Sequence, residues 1–246
     1  MQRLLIINPN TSAHVSDLLQ HHAQGAAGPL AQIVTTTARF GAPYIACEAS
    51  YAVAGHAVLD AWAAEVTADE AFDAVLIGCF GDPGLLALRE VSPVPVTGLA
   101  EAAFIDAAAR GKFAIVTGGT RWKPMLERLA QQLGFDAQLA GIHTVTQSGA
   151  ELAQDPAAAK VILAAACEQA AECFGASTVI LGGAGLAGMA ADIQPAVTVP
   201  VIDSVVAGVR HALALSQTPV ANHTSGFKCA WQGLSTEMNA LGMAKA

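Results

Sequence analysis

The chain is 246 residues long, with 12 Lys+Arg against 20 Asp+Glu, a formal net charge of -8, 53% hydrophobic residues and 13% charged ones. That length fits one large domain or two small ones, the apolar content excludes a disordered or fibrous protein, and the acidic balance leaves no field to gather phosphates, so no nucleic acid partner is expected. The 5 cysteines, at positions 47, 79, 167, 173 and 229, form no C-x-x-C pair and the 7 histidines no H-x-x-x-H spacing, which argues against a disulfide framework, a zinc ribbon or another metal site.

The expected elements alternate along the chain. LLIIN at residues 4 to 8 reads as a strand, followed by a helix from about Ser12. QIVTT at 32 to 36 is the next strand, then come a helix across roughly 48 to 69, the strand AVLIG at 74 to 78 and PVPVT at 93 to 97. FAIVT at 113 to 117, a helix from about Trp122, IHTVT at 142 to 146, a helix from about 156 to 172, TVILG at 178 to 182 and VPVID at 199 to 203 complete the series. Continuous apolar strands alternating with helices predict an α/β protein whose parallel sheets are covered on both faces. The charge-free window between Glu172 and Asp192 is nominally long enough to span a bilayer, but its five glycines read as a buried strand and a glycine loop. The opening MQRLLIINPN lacks a basic region ahead of a signal-length apolar stretch, so a soluble, unprocessed, cytoplasmic chain with no membrane partner is expected.

The sequence also repeats itself. VLIGCFGDPGL at 75 to 85 lies beside VILGGAGLAGM at 179 to 189, and each is followed by a matching strand, VPVTG or VPVID. Repeat logic predicts two pseudo-symmetric α/β halves facing each other across a cleft, and it pairs Cys79 with Gly183. The halves are placed at 1 to 98 and 99 to 205, with 206 to 246 returning to the first. High apolar content leaves room for subunit contacts, so a homo-oligomer is expected.

Ligands of open α/β sheets bind beyond the carboxyl ends of the strands, so the strand-end loops are the candidate site. In Asn8-Pro9-Asn10-Thr11-Ser12, Asn10 or Thr11 is expected to cap the next helix. In Gly78-Cys79-Phe80-Gly81-Asp82-Pro83-Gly84, Asp82 reads as an N-cap with Pro83 at the first helical position. Cys79 then sits just ahead of a helix N-terminus, where its thiol either packs as a small hydrophobe or has a lowered pKa and moves protons. Thr117-Gly118-Gly119-Thr120 offers an amide cradle, with Thr120 as the cap. Phe40-Gly41-Ala42-Pro43-Tyr44 is a candidate wall, and His21 and His22 read as a solvated helix end. Gly183-Ala184-Gly185-Leu186-Ala187-Gly188 matches a dinucleotide fingerprint, with Asp203 twenty residues on, but Pro195 interrupts the only stretch available for the crossover helix.

Ile7-Asn8-Pro9-Asn10-Thr11-Ser12, Phe40-Gly41-Ala42-Pro43, Gly78-Cys79, Val116-Thr117 and Leu181-Gly182-Gly183-Ala184-Gly185 together resemble the Asp/Glu racemase superfamily, in its hydantoin and allantoin racemase branch. The resemblance runs in order over residues 1 to about 210. It implies a cofactor-independent isomerase acting on a small molecule, with two cysteines on opposite faces of the substrate's α-carbon. Carried onto this chain, the first cysteine is Cys79, and the substrate cradle falls on Asn10, Phe80, Gly81, Thr117, Gly118 and Ala184, with Phe40, Pro43 and Gly183 beside it. The family's second cysteine falls on Gly183, which cannot move a proton. The readings left open are a second proton carrier elsewhere, a one-proton reaction, or ligand binding without turnover. The one-proton reading resembles the cofactor-free arylmalonate decarboxylases, which keep one thiol at the position matching Gly183. The strand-end loops offer more amides and hydroxyls than charges, which suits a neutral ring such as a hydantoin, unless Arg39 or Arg121 reaches the cleft.

Overall fold

The computed structural model describes residues 1–67, 71–147, 149–218, 220 and 231–243. The apolar runs extend as strands β1 (Gln2–Asn8), β2 (Ala31–Thr37), β3 (Ala74–Ile77), β4 (Val96–Gly98), β5 (Phe113–Gly118), β6 (Leu139–Val145), β7 (Thr178–Gly182) and β8 (Val201–Asp203). The intervening Ala- and Leu-rich segments are helices α1 (Ala13–Ala27), α2 (Glu48–Thr67), α3 (Leu85–Val91), α4 (Leu99–Ala108), α5 (Trp122–Gln132), α6 (Gly149–Gln154), α7 (Pro156–Phe174), α8 (Met189–Ile193), α9 (Ser204–Leu215) and α10 (Thr236–Met243). Helices α4, α6, α8 and α10 have no counterpart among the expected elements, and α3 begins at Leu85, two residues after the start expected at Pro83. The N-caps of α3, α4 and α8 are Gly84, Gly98 and Gly188, none of which makes a side-chain capping bond.

The strands form two parallel sheets in the orders β2-β1-β3-β4 and β6-β5-β7-β8. Both use the same register logic: Ile7 pairs with Ile77 and Ile77 with Gly98 in the first, Val116 with Leu181 and Leu181 with Asp203 in the second. Cys79 and Gly183 therefore occupy equivalent places beyond their strands. Side chains alternate across each strand, which divides the core into three layers. Leu5, Ile7, Val75 and Ile77 face Val58 and Trp62 of α2 and Leu88 of α3, while Val116, Val179 and Leu181 face Leu163 and Cys167 of α7. The opposite faces share one central core, in which Leu4, Ile6 and Leu76 meet Phe113, Ile115 and Ile180 through α1, α4, α5 and α9. At its centre the fully buried Phe104 stacks on Phe113 with ring centroids 5.5 Å apart and meets Phe80 edge-on at 6.2 Å. Helix α9 packs against α1, α4 and β3, and α10 against α2.

The charge-free window before Asp192 folds as β7, a short 3-10 turn at Ala184–Leu186 and the start of α8. No helix among the described residues is long and apolar enough to cross a membrane. His21 and His22 lie inside α1 rather than at its end, and the His22 ring packs over Gly188 of the opposite half.

Candidate active site

In both sheets the strand order reverses at the central pair, β1/β3 and β5/β7, and crevices form beyond the carboxyl ends of such pairs. The two crevices face each other and enclose a cavity of about 270 Å³. The first half contributes Asn10, Ser12, His14, Val15 and Leu18 after β1, Pro43, Tyr44 and Ile45 after β2, and Gly78, Cys79 and Phe80 after β3. The second contributes Thr117, Gly118 and Trp122 after β5, Gln154 from α6, and Gly182 to Leu186 after β7.

Two aromatics interlock the halves around this cavity. The Phe80 ring lies against the backbone of Gly182, where any side chain would overlap it, and the Trp122 ring lies in the same way against Gly81. A buried asparagine pins the first loop. Asn8 Nδ2 donates to Asn10 Oδ1 at 3.1 Å, to the Ser12 carbonyl at 3.0 Å and to Ser16 Oγ at 3.0 Å, while Asn8 Oδ1 accepts from the Asn10 amide at 3.2 Å. Asn10 Oδ1 also accepts from the Ser12 amide at 2.9 Å, so the group Asn10 can offer the cavity is its Nδ2 donor. The cap of α1 is Ser12, which accepts from Val15 at 3.4 Å, rather than Asn10 or Thr11. Thr120 likewise gives way, since the residue preceding α5 is Arg121, with no side-chain bond.

Asp82 caps a helix, but a distant one. Its carboxylate accepts the Ala100 and Glu101 amides at 2.9 and 2.8 Å, at the start of α4, while α3 begins at Leu85 behind Gly84. Cys79 therefore lies six positions ahead of α3 rather than at a helix N-terminus. Its thiol is buried, and burial together with the nearby Asp82 carboxylate pushes its pKa well above the usual thiol value. The expected lowering is reversed because desolvation of the thiolate outweighs any helix field. Cys79 rests as a protonated thiol. Across the cavity Gly183 adopts φ +145, with its amide donating to Ser204 Oγ at 3.3 Å.

Of the residues singled out from sequence, Asn10, Pro43, Cys79, Phe80, Thr117, Gly118, Gly183 and Ala184 line this one cavity. Phe40 does not: its ring packs on His56 at 4.9 Å, in a separate depression beside Arg39 and Asp60. Gly81 is also outside the lining; its carbonyl accepts from Tyr51 Oη at 2.8 Å. Arg39 is engaged with Asp60 at 2.8 Å and Glu237 at 3.1 Å, and Arg121 does not line the cavity. Among the described residues, no Lys, Arg, Asp or Glu side chain lines the cavity. His14, Trp122 and Gln154 line it without having been assigned to it from sequence, while Tyr44, the last residue of the candidate wall, lines it beside Pro43. His14 and Gln154 carry no motif that marks them; only the packing of helix ends around the cleft brings them there.

The fingerprint-like loop is occupied internally. Asp203 Oδ1 accepts from Val205 and Val206 at 2.8 and 3.1 Å, and Oδ2 from Gly188 at 2.7 Å, so this carboxylate caps α9 and braces the glycine loop. The loop leads into a five-residue α8, not a crossover helix. Dinucleotide recognition, which needs both the free carboxylate and that helix, is not built here. Cys167 sits in the core with its thiol pushed up to about 12 by burial. Cys47 lies outside the cavity, its thiol lowered by a hydrogen bond from Ser50. Cys229 lies outside the described residues.

The family model for Asp/Glu/hydantoin racemases matches residues 4–212. The chain is 33% identical over 211 residues to the hydantoin racemase of Pseudomonas sp. (strain NS671), covering 85% of this chain and 84% of that one. Its fold superposes on allantoin racemase from Klebsiella pneumoniae with a TM-score of 0.86 at 30% identity, over 98% of this chain and 99% of that one. Unliganded arylmalonate decarboxylase shares the fold at a TM-score of 0.61 and 19% identity, over 88% of this chain and 93% of that one.

Proposed function

Because the chain belongs to the Asp/Glu/hydantoin racemase family, we propose that it racemises a neutral cyclic amide of the hydantoin class, with Cys79 as one acid/base group. The supporting observation is the composition of the cavity. Among the described residues, a single protonated thiol faces a space lined by apolar side chains and by amide and hydroxyl groups, with no Lys or Arg to pair a substrate carboxylate.

The α-carbon of a hydantoin sits beside a ring carbonyl, so removal of its proton leaves the electron pair delocalised onto that oxygen. Hydrogen-bond donors that meet the developing oxyanion stabilise this state most. Asn10 Nδ2, the Thr117 hydroxyl and the Ala184 amide are the candidate donors. Cys79 delivers its thiol proton to the carbon from its own face: the S–H bond breaks, a C–H bond forms and a thiolate remains. In the reverse direction the thiolate takes that proton back. Val15, Leu18, Ile45, Trp122 and Leu186 keep the reacting carbon out of bulk water and give the ring substituent an apolar wall.

The lone thiol, held protonated, also favours a second reading. Loss of carbon dioxide from a disubstituted malonate generates an enediolate that needs one proton and no base. Polarimetry on enantiopure 5-substituted hydantoins and allantoin, beside assays of carbon dioxide release from disubstituted malonates, separates the two. Decay of hydantoin rotation to zero is expected. Carbon dioxide release alone replaces the racemase reading with decarboxylation, and binding without turnover replaces it with a ligand-binding role.

A further inference from the structure

Racemisation needs proton carriers on both faces of the α-carbon, and Gly183 supplies none. We propose that His14 is the second acid/base group, an inference that rests on the racemase reading above. Among the described lining residues, six side chains besides Cys79 carry exchangeable protons, Asn10, Ser12, His14, Tyr44, Thr117 and Gln154, with the Trp122 indole a seventh. Carboxamides and an indole N–H do not accept a proton from carbon, and hydroxyls and a phenol do so only after losing their own proton. Of these described groups, imidazole is the one whose neutral form is already a base.

The placement supports the role. His14 lies in the first turn of α1, and α1 packs against the Ala184–Leu186 turn. Further along the same helix His22 lies over Gly188, so the face of α1 runs beside the loop that carries Gly183. His14 therefore approaches the cavity beside the half where the partner thiol is missing, while Cys79 approaches from the loop after β3. It is exposed at the cavity mouth, which lets water exchange its proton between turnovers.

The proton balance closes without a co-reactant. His14 takes the α-proton: the C–H bond breaks, an N–H bond forms and the electron pair passes to the enolate oxygen. The pair then returns to carbon as Cys79 gives its proton to the opposite face. The imidazolium and thiolate left behind return to their starting forms by proton exchange through water, and the opposite enantiomer follows the same steps in reverse.

The test is His14→Gln, assayed by deuterium incorporation into each enantiomer of a 5-substituted hydantoin separately in deuterated water, with and without added imidazole. Exchange of the enantiomer whose α-proton faces His14 is expected to drop by at least about 100-fold, the usual scale for one positioned acid/base group. Exchange of the other enantiomer should fall much less, and free imidazole should restore part of the lost rate. Equal loss for both enantiomers without imidazole rescue would reduce His14 to a structural role, and full retention of racemisation would remove it from the mechanism. Wild-type protein that exchanges neither enantiomer would instead overturn the racemase reading itself.

Discussion

Replacing Asp82 with Asn removes a buried carboxylate that shares a loop with Cys79. Asp82 is 1% exposed, sits at φ 52 and accepts two amide bonds at the start of α4. Burial is the largest influence on it and raises its pKa; the amide bonds from Ala100 and Glu101 pull the other way, the Glu101 carboxylate adds to the rise, and the result is about 7 against an ordinary 3.8. A carboxyl with a raised pKa in the folded state binds its proton more tightly there than when unfolded. Its contribution to stability is complete below the unfolded value and is lost as pH climbs toward 7. The gap between the two values corresponds to about 4 kcal/mol. Asn keeps one acceptor of the two and never ionises, so at pH 4 it should be less stable than wild type by roughly 1 kcal/mol. Urea unfolding followed by circular dichroism from pH 4 to pH 8 measures the difference curve. The wild-type advantage should shrink and then reverse as pH rises, by up to about 4 kcal/mol in total. A flat difference would mean that Asp82 ionises as an ordinary solvated carboxylate and that its burial does not shape the Cys79 loop.

Two further substitutions separate the cavity from its surroundings. A Cβ at Gly183 would find its nearest neighbour, a Leu186 carbon, at 3.5 Å, but φ +145 disfavours any side chain; Gly183→Cys should therefore cost about 1–3 kcal/mol in a thermal melt. The same variant should speed α-proton exchange on the face opposite Cys79, and an unchanged exchange rate in folded protein would contradict the facing geometry. Arg39→Ala breaks the pairs with Asp60 and Glu237, and because Arg39 is 44% exposed the loss should be only about 1–2 kcal/mol. Its kcat/KM on a hydantoin should stay at the wild-type level, and a large fall would bring the Arg39–Phe40 depression into the site.

The strands were legible because strands buried on both faces read as continuous apolar runs, and the repeat was legible because both halves close their third strand with the same apolar-Gly-X sequence. Helices α4 and α8 were not, because each starts behind a glycine whose local sequence carries no capping side chain. Asp82 misled for a related reason: its partners lie 18 and 19 positions away, and the local Asp-Pro pair suggested a cap that the fold uses elsewhere. The site loops were readable from glycine-rich strand ends, yet the protonation state of Cys79 was not. Burial sets that state, and burial depends on Phe80 and Trp122 closing the halves over the loop. Phe40 followed a motif into the candidate site, but its ring turns to His56, a contact that only the docking of the loop against α2 creates. His14 went unnoticed because its position in α1 is ordinary and its cavity is made by the other half of the chain.

Proton transfer at Cys79 is tested most directly by deuterium incorporation at the α-carbon of an enantiopure 5-substituted hydantoin, followed by proton NMR for wild type and a folded Cys79→Ala variant. Wild type should exchange the proton and lose optical purity together, and Cys79→Ala should slow both by at least about 100-fold. Exchange in Cys79→Ala within a few-fold of wild type would contradict a role for this thiol in the reaction.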